Sequence, residues 1–278
     1  MDPANPLLPI VKVGFLGAGN LATALVRGLV EKKVLPPTHL FASNRSSGKL
    51  IRLAHDFGVT ACSNNEELVE KSDIVILSMK PQDLVAAIEP IAQIFNEKQM
   101  VISLAAGVTI KTLKKYLPQC RLVRAMPNTP TFIGRGVTGF YTQEKDKGAS
   151  RLVEDLFSTL GYALEVTDED LLDSMTVACA AGPGFVFELM MVWQDWLVEH
   201  GFDDVQARKL TVETFAGAAL LAASSAAQLE ELQNKVTSKR GTTAAGLQSL
   251  REYEVDRILR IAFEKAALRS KEMAKEFV

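Results

Sequence analysis

Histidine and cysteine are both scarce in this chain, three of each among 278 residues, and that scarcity disfavours several chemistries at once. Cys62, Cys120 and Cys179 lie far apart, with no CxxC spacing and no histidine beside them. An odd, scattered set argues against a disulfide framework or a zinc site and suits a reducing cytoplasm. His39 precedes a strand, His55 sits in a charged helical stretch, and His200 stands before Gly201 at a helix end, where an imidazolium is favourable. None is placed as a general base. Charge of one sign is also lacking: 33 acidic against 31 basic residues leave a formal net charge of −2, with no basic patch to hold nucleic acid. No apolar run approaches the roughly 18 residues of a membrane span, and nothing ahead of the first strand reads as a signal peptide. Neither an internal repeat nor a low-complexity linker appears. The expectation is a cytoplasmic protein with a small-molecule partner, without metal, nucleic acid or membrane.

What is present is apolar material, 47% of the residues, enough for a sizeable core in one large or two modest domains. Met1–Pro9, with three prolines, reads as a short flexible arm. The apolar run Val11–Leu16 then leads directly into Gly17-Ala18-Gly19-Asn20-Leu21-Ala22, and an Ala/Leu-rich helical pattern follows. Strand, glycine turn and helix in that order form the dinucleotide-binding βαβ unit, with Ala22 in the third small position. Gly17 would make the tight turn, Gly19 would admit a pyrophosphate close to the backbone, and free N–H groups at the helix start would face its charge.

A second strand is expected at Leu40–Ser43. A fold selective for NAD places Asp or Glu at its end, on the ribose 2′-hydroxyl. This chain offers Ser43, Asn44 and Arg45 there, with Lys49 one turn on. Hydroxyl, amide and guanidinium bind a 2′-phosphate that a carboxylate would repel, which points to NADP(H), with NAD(H) as second choice. The alternation continues with a strand at Val59–Ala61, a helix at Asn65–Lys71 and a continuous apolar run at Ile74–Ser78, of the kind buried on both faces of a sheet. Lys80 follows at the strand's carboxyl end, either to meet an anion or as a solvated turn lysine, and Pro81 starts the next helix. Further strands are expected at Met100–Leu104, Arg121–Met126, Thr138–Tyr141 and Ala163–Val166, with Leu113–Leu117 belonging to a helix closed by Pro118 and another helix at about Lys147–Leu160. Pro127-Asn128-Thr129-Pro130 reads as a rigid polar turn where a ligand sits.

From Asp168 onward only helical periodicity remains. Two helical segments, Leu171–Ala181 and Phe185–Glu199, are separated by Gly182-Pro183-Gly184; Trp193 and Trp196 share a face better suited to core or subunit contact than to a cofactor. Asp203 or Asp204 can cap the next helix, and Val255, Leu259, Ala262, Ala266, Met273 and Phe277 stripe the last one. The fold class is therefore α/β, a Rossmann-like dinucleotide-binding domain over 1–166 followed by an all-α domain over 167–278. Between two of the helices, Ser238, Gly241, Thr242 and Thr243 bring hydroxyls and helix-start N–H groups together. They form either a carboxylate seat or an ordinary helix cap.

The ordered set of motifs resembles the pyrroline-5-carboxylate reductases: G-F-L-G-A-G-N-L-A at Gly14, S-N-R at Ser43, M-K-P-Q at Met79, S-L-A-A-G-V-T-I at Ser103, R-A-M-P-N-T-P at Arg124, E-D-L-L-D at Glu169 and V-T-S-x-x-G-T-T-x-x-G-L at Val236. The resemblance implies NAD(P)H-dependent reduction of 1-pyrroline-5-carboxylate to proline, by a homodimer built through the C-terminal helices and sometimes assembled into rings of dimers. It implies that Gly17, Ala18, Gly19, Asn20 and Leu21 hold the pyrophosphate, that Ser43 and Arg45 meet the adenosine phosphate, and that Asn65 approaches the adenosine side. Met79, Lys80, Pro81 and Ala106 would line the cofactor pocket. Ser238, Gly241, Thr242 and Thr243 would bind the substrate, with Thr243 on the ring nitrogen and Glu169 close by.

The departures fall in the substrate half. Cys179-Ala180-Ala181-Gly182-Pro183-Gly184-Phe185 stands where the family has S-G-S-G-P-A-Y, and Lys239-Arg240 replaces Pro-Gly before Gly241. These changes motivate a rival reading, a non-catalytic or altered-specificity NADP-binding relative. A β-hydroxyacid dehydrogenase, whose similar N-terminal domain precedes a glycine-rich turn and a catalytic lysine, is opposed by the absence of lysine from Phe185 to Trp193.

Overall fold

The computed structural model describes residues 11–143 and 146–275. The arm expected over Met1–Pro9 and the last stripe residue, Phe277, lie outside the described residues. Two compact units emerge: one holds the described residues through Ala181 together with those from Ala266 onward, and the other is Gly182–Lys265.

The first unit carries β1 (Val13–Leu16), α1 (Asn20–Glu31), β2 (Leu40–Ser43), α2 (Ser47–Phe57), β3 (Thr60–Ala61), α3 (Asn65–Lys71), β4 (Ile74–Leu77), α4 (Pro81–Ile88), β5 (Met100–Ser103), α5 (Ile110–Lys114), β6 (Arg121–Pro127), β7 (Gly136–Thr142), α6 (Lys147–Ser158), β8 (Gly161–Glu165) and α7 (Leu171–Met175). Its eight-stranded sheet has the order β3-β2-β1-β4-β5-β6-β7-β8. All pairings from β3 through β6 are parallel, β7 runs antiparallel to β6, and β8 is parallel to β7. Every residue of β1, β4 and β5 is buried, as continuous apolar runs require when helices cover both faces. Alternation then sorts the side chains. Val13, Phe15, Ile74, Ile76 and Ile102 join one core with α1 and α6, while Leu16, Val75, Leu77 and Val101 join another with α3, α4 and α5.

The order reverses between β1 and β4, so the loops leaving those strands diverge and open a crevice at the strands' carboxyl ends, the ligand position in sheets of this kind. Three elements differ from expectation. The α5 helix is capped by Thr109, whose side chain accepts the Thr112 N–H, and it ends at Lys114 rather than continuing to Leu117. Gly182-Pro183-Gly184 opens a helix instead of separating two, since proline in a first turn loses no hydrogen bond; before it, Thr176–Ala180 is a π-helical turn. The first unit also extends past residue 166, because Leu172 packs with Met126 and Val166.

The second unit is helical: α8 (Gly182–Glu199), α9 (Asp204–Ala223), α10 (Leu229–Lys235), α11 (Thr242–Glu252) and the start of α12 (Val255–Lys275). Asp203 caps α9, its side chain accepting the Gln206 N–H. Trp193 meets Phe215 edge-on at 5.3 Å, and Phe185 meets Phe263 at the same centroid distance. No residue of α8 is buried, and Phe187, Met191, Val192 and Trp196 are all exposed. The stretch Leu171–Glu199 is long and apolar enough to cross a membrane by length and composition, with mean hydropathy 1.6 and 6% of the window buried. This departs from the sequence expectation because Asp173, Glu188 and Asp195 break the apolar run without lowering its average far.

Where β7 meets β8, Gly161 has φ +143°, and a methyl group there would run into the Gly136 backbone. Gly161→Ala should cost about 2 kcal/mol and lower the melting temperature by roughly 4–8 °C in thermal unfolding of the full chain. An unchanged melting temperature would remove this close approach from the account.

Candidate functional site

The glycine turn after β1 is fixed from three directions. Gly17 takes φ +109°, and a Cβ there would lie 3.1 Å from the Ser78 carbonyl oxygen. Its N–H donates to the Ser43 carbonyl at 2.9 Å, the Ala18 N–H donates to Asn44 Oδ1 at 3.1 Å, and Ser78 Oγ donates to the Gly17 carbonyl at 2.8 Å. Gly19 is different: a Cβ on it would meet only Ser78 O, at 3.9 Å, so the turn presents bare backbone on that side. Gly19 is also the N-cap of α1, and no side chain caps the helix. The first-turn N–H groups of Asn20, Leu21 and Ala22 are thus left for an anion at the positive end of the helix. Ala22 is fully buried, the small residue that lets helix and sheet pack closely. Bare glycine backbone beside an uncapped helix start fits a dinucleotide pyrophosphate.

Beyond β2 the expected residues divide. Ser43 is 2% exposed and its hydroxyl donates to Asn65 Oδ1 at 2.8 Å, so these two side chains brace one another. Asn44 bridges loops, its amide nitrogen donating to the Ser46 carbonyl at 2.9 Å while its oxygen holds Ala18. Arg45 is 91% exposed and lies 3.6 Å from Asp83 of α4, an exposed pair too weak to hold it from a phosphate. The start of α2 has no side-chain cap.

On the other side of the crevice, Lys80 is the exposed N-cap of α4 with Pro81 in its first turn, and no side chain caps this helix either. Met79 packs against the second core. Ala106 lies in the loop after β5, packed against the small cluster of Met126, Val166 and Leu172. Asn128, expected to meet a ligand, is instead a brace: its Oδ1 accepts the Val137 N–H at 2.8 Å and its Nδ2 donates to the Cys179 carbonyl at 3.1 Å.

Glu169 has the same character. Its Oε1 accepts the Ile110 N–H at 2.9 Å and lies 3.4 Å from Arg124 Nη1. Arg124 Nη2 lies 2.7 Å from Asp173 Oδ1, and the whole arginine is 1% exposed. Sequence reasoning assigned Arg124 no role. The signal was available as a charge in the middle of an apolar strand, which must find partners when buried, and as acids spaced i, i+4 in E-D-L-L-D.

Burial pushes all three thiols up, Cys120 to about 11, so no thiolate nucleophile is available at neutral pH. Among the described residues no group of three His, Cys, Asp or Glu is placed to hold a metal. A cavity of about 220 Å³ is lined by Arg27, Lys32 and Ile133 around the far half of α1 and includes none of the residues above.

In the second unit, the loop before α11 is a tight turn closed by Gly241 N–H donating to the Ser238 carbonyl at 3.0 Å. Arg240 stands in the left-handed region at φ +59°, the conformation a glycine would adopt without strain. Gly241 is the N-cap of α11, which no side chain caps, and a methyl group on it would strike Ser238 Oγ. Ser238, Thr242 and Thr243 are exposed, and Ser238 Oγ lies against Gly241 at the start of the helix.

Comparison with known proteins gives a consistent result. Residues 169–273 match the family model for pyrroline-5-carboxylate reductase dimerisation, and residues 12–107 match that for coenzyme F420-dependent NADP oxidoreductases. A pyrroline-5-carboxylate reductase of Pseudomonas aeruginosa is 33% identical over 95% of this chain and 97% of its own. Among solved structures, a pyrroline-5-carboxylate reductase from Coxiella burnetii superposes with TM-score 0.87 at 32% identity, covering 96% of this chain and 98% of the other. The pyrroline carboxylate reductase of Plasmodium falciparum, with NADP bound, gives 0.85 at 25% identity over 96% and 99%.

Proposed function

Because this chain belongs to the pyrroline-5-carboxylate reductase family, we propose that it reduces 1-pyrroline-5-carboxylate to L-proline, using NADP(H) in preference to NAD(H). The observation that carries this reading over that of a decayed relative is the surviving turn at Ser238–Gly241. Lys239-Arg240 stands in place of Pro-Gly, yet Arg240 adopts the left-handed backbone of a glycine and α11 still begins uncapped at Gly241. Strain of this kind persists where the surrounding structure demands the conformation.

The reduced nicotinamide supplies a hydride to the C=N carbon. The protein's part is position and hydrogen bonding. Gly17, Ala18, Gly19, Asn20 and Leu21 take the pyrophosphate; Arg45 and the open start of α2 take the 2′-phosphate, on a loop that Asn44 bridges. Ser43 and Asn65 brace that loop from beneath. Met79, Lys80, Pro81 and Ala106 line the pocket. The first-turn N–H groups of Thr242 and Thr243, with the Ser238 hydroxyl, hold the substrate carboxylate. Thr243 Oγ1 hydrogen-bonds the ring nitrogen, drawing electron density from the carbon that receives hydride. No contact with substrate is proposed for Glu169, whose Oε1 is engaged by Ile110 and Arg124.

The first unit serves as the cofactor domain and the helical second unit as the substrate and dimerisation domain. The exposed apolar faces of α8 and α9 suit a homodimer through the C-terminal helices, with rings of dimers as the larger assembly. This partner accounts for the apolar stretch Leu171–Glu199 without a membrane. The separate free cysteines suit a cytoplasmic location.

The test follows NADPH and NADH oxidation with pyrroline-5-carboxylate and, in parallel, with a short semialdehyde. Absorbance should fall only with the imine, and faster with NADPH. Tight NADPH binding without turnover on either would support the decayed relative instead. Thr243→Ala should lower kcat by about tenfold or more while the Kd for NADPH stays within about twofold, since its hydroxyl acts on the reacting centre; unchanged kcat removes Thr243 from the mechanism. Arg45→Ala should raise the KM for NADPH about tenfold, the loss of one charge-assisted contact, and leave that for NADH unaltered. Equal effects on both cofactors would place Arg45 away from the 2′-phosphate.

A further inference from the structure

Arg124 lies in the middle of β6, in register with Ser103 of β5 on one side and Tyr141 of β7 on the other. Its guanidinium is buried and meets Asp173 at 2.7 Å and Glu169 at 3.4 Å, the two acids that flank the start of α7. Its Nε has no hydrogen-bond partner, so these carboxylates carry the whole compensation for burying the charge. The same Glu169 oxygen that faces Arg124 accepts the N–H of Ile110, 59 residues away. Ile110 opens α5 and ends the loop that contains Ala106. Ala106 itself packs against Leu172 of α7 and Met126 of β6. The loop is therefore held near both ends by the element that Arg124 clamps to the sheet.

We propose that Arg124 is a positioning residue: acting through Glu169 and the docked α7, it sets the backbone of the loop from Ala105 to Ile110 against which the dinucleotide lies. This rests on the reading of the crevice as a dinucleotide site. Stability alone does not call for such an arrangement, because a buried ion pair replaced by well-packed apolar residues is often neutral or better. What an apolar replacement cannot do is hold the Ile110 N–H. That hydrogen bond needs an acceptor just ahead of α7, and an ionised acceptor at this depth needs a cation beside it.

The test measures NADPH binding by the fluorescence of the bound nucleotide on the full chain, with folding checked by circular dichroism. Glu169→Ala removes the acceptor and should raise the Kd about tenfold, the scale of one hydrogen bond to a charged group. Glu169→Gln keeps an oxygen for Ile110 and should stay within about threefold of the parent. Arg124→Lys, whose single ammonium cannot span both acids, should fall between them. Unchanged Kd in Glu169→Ala and Arg124→Lys, with a lowered melting temperature, would make the network purely architectural and overturn the proposal. If Glu169→Ala does not fold, the Kd of Arg124→Lys decides alone. A parent protein that binds NADPH but leaves pyrroline-5-carboxylate unreduced would defeat the proposed substrate and leave this inference standing; one that binds no dinucleotide would defeat both.

Discussion

The constraint on which the rest depends is the turn at Gly17-Ala18-Gly19. It lies where the strand order reverses, and its backbone is held by groups from both neighbours: the Ser43 carbonyl and Asn44 side chain beyond β2, and Ser78 beyond β4. Gly17 is confined to glycine by its positive φ and by the Ser78 carbonyl. Gly19 carries no side chain so that its outer face stays bare. A turn pinned in this way presents its amides without rearrangement, which is what electrostatic recognition of a phosphate requires.

The helix starts repeat that logic across the molecule. Among the described helices, α3, α5, α6 and α9 are closed by the side chains of Asn64, Thr109, Asp146 and Asp203. Those that begin at the candidate binding loops, α1, α2, α4 and α11, carry no side-chain cap, a feature they share with α7 and α10. A side-chain cap satisfies the first-turn N–H groups and stabilises a helix by roughly 1 kcal/mol. Leaving it out keeps those donors, and the positive end of the helix dipole, for a ligand. Arg240 holds a left-handed backbone just before α11, and that helix too starts without a side-chain cap.

Much of the first unit could be read directly from the chain. Uniformly apolar runs such as Ile74–Leu77 can be satisfied only by a sheet covered on both faces, and the glycine spacing after β1 has few other uses. What escaped notice depends on partners remote in sequence. Arg124 stands out as a charge within an apolar strand, but its partners Glu169 and Asp173 lie 45 and 49 residues on and only the fold brings them to it. Ser43 and Asn128 look like ligand groups because they are polar and near strand ends. Only their burial and their bonds to Asn65, Val137 and Cys179 reveal them as braces. Gly182-Pro183-Gly184 misled for a different reason: these residues break helices in the middle but are tolerated at the first turn.

The proposed reaction is hydride transfer from NADPH to the C=N carbon of a cyclic imine. Its most direct test is isotopic. With NADPH carrying deuterium at the transferable position of nicotinamide C4, incubated with pyrroline-5-carboxylate and the full-length protein, mass spectrometry of the product should find one deuterium on the proline δ-carbon for each NADPH oxidised. Oxidation of NADPH that leaves no deuterium in proline, or no proline at all, would contradict the account.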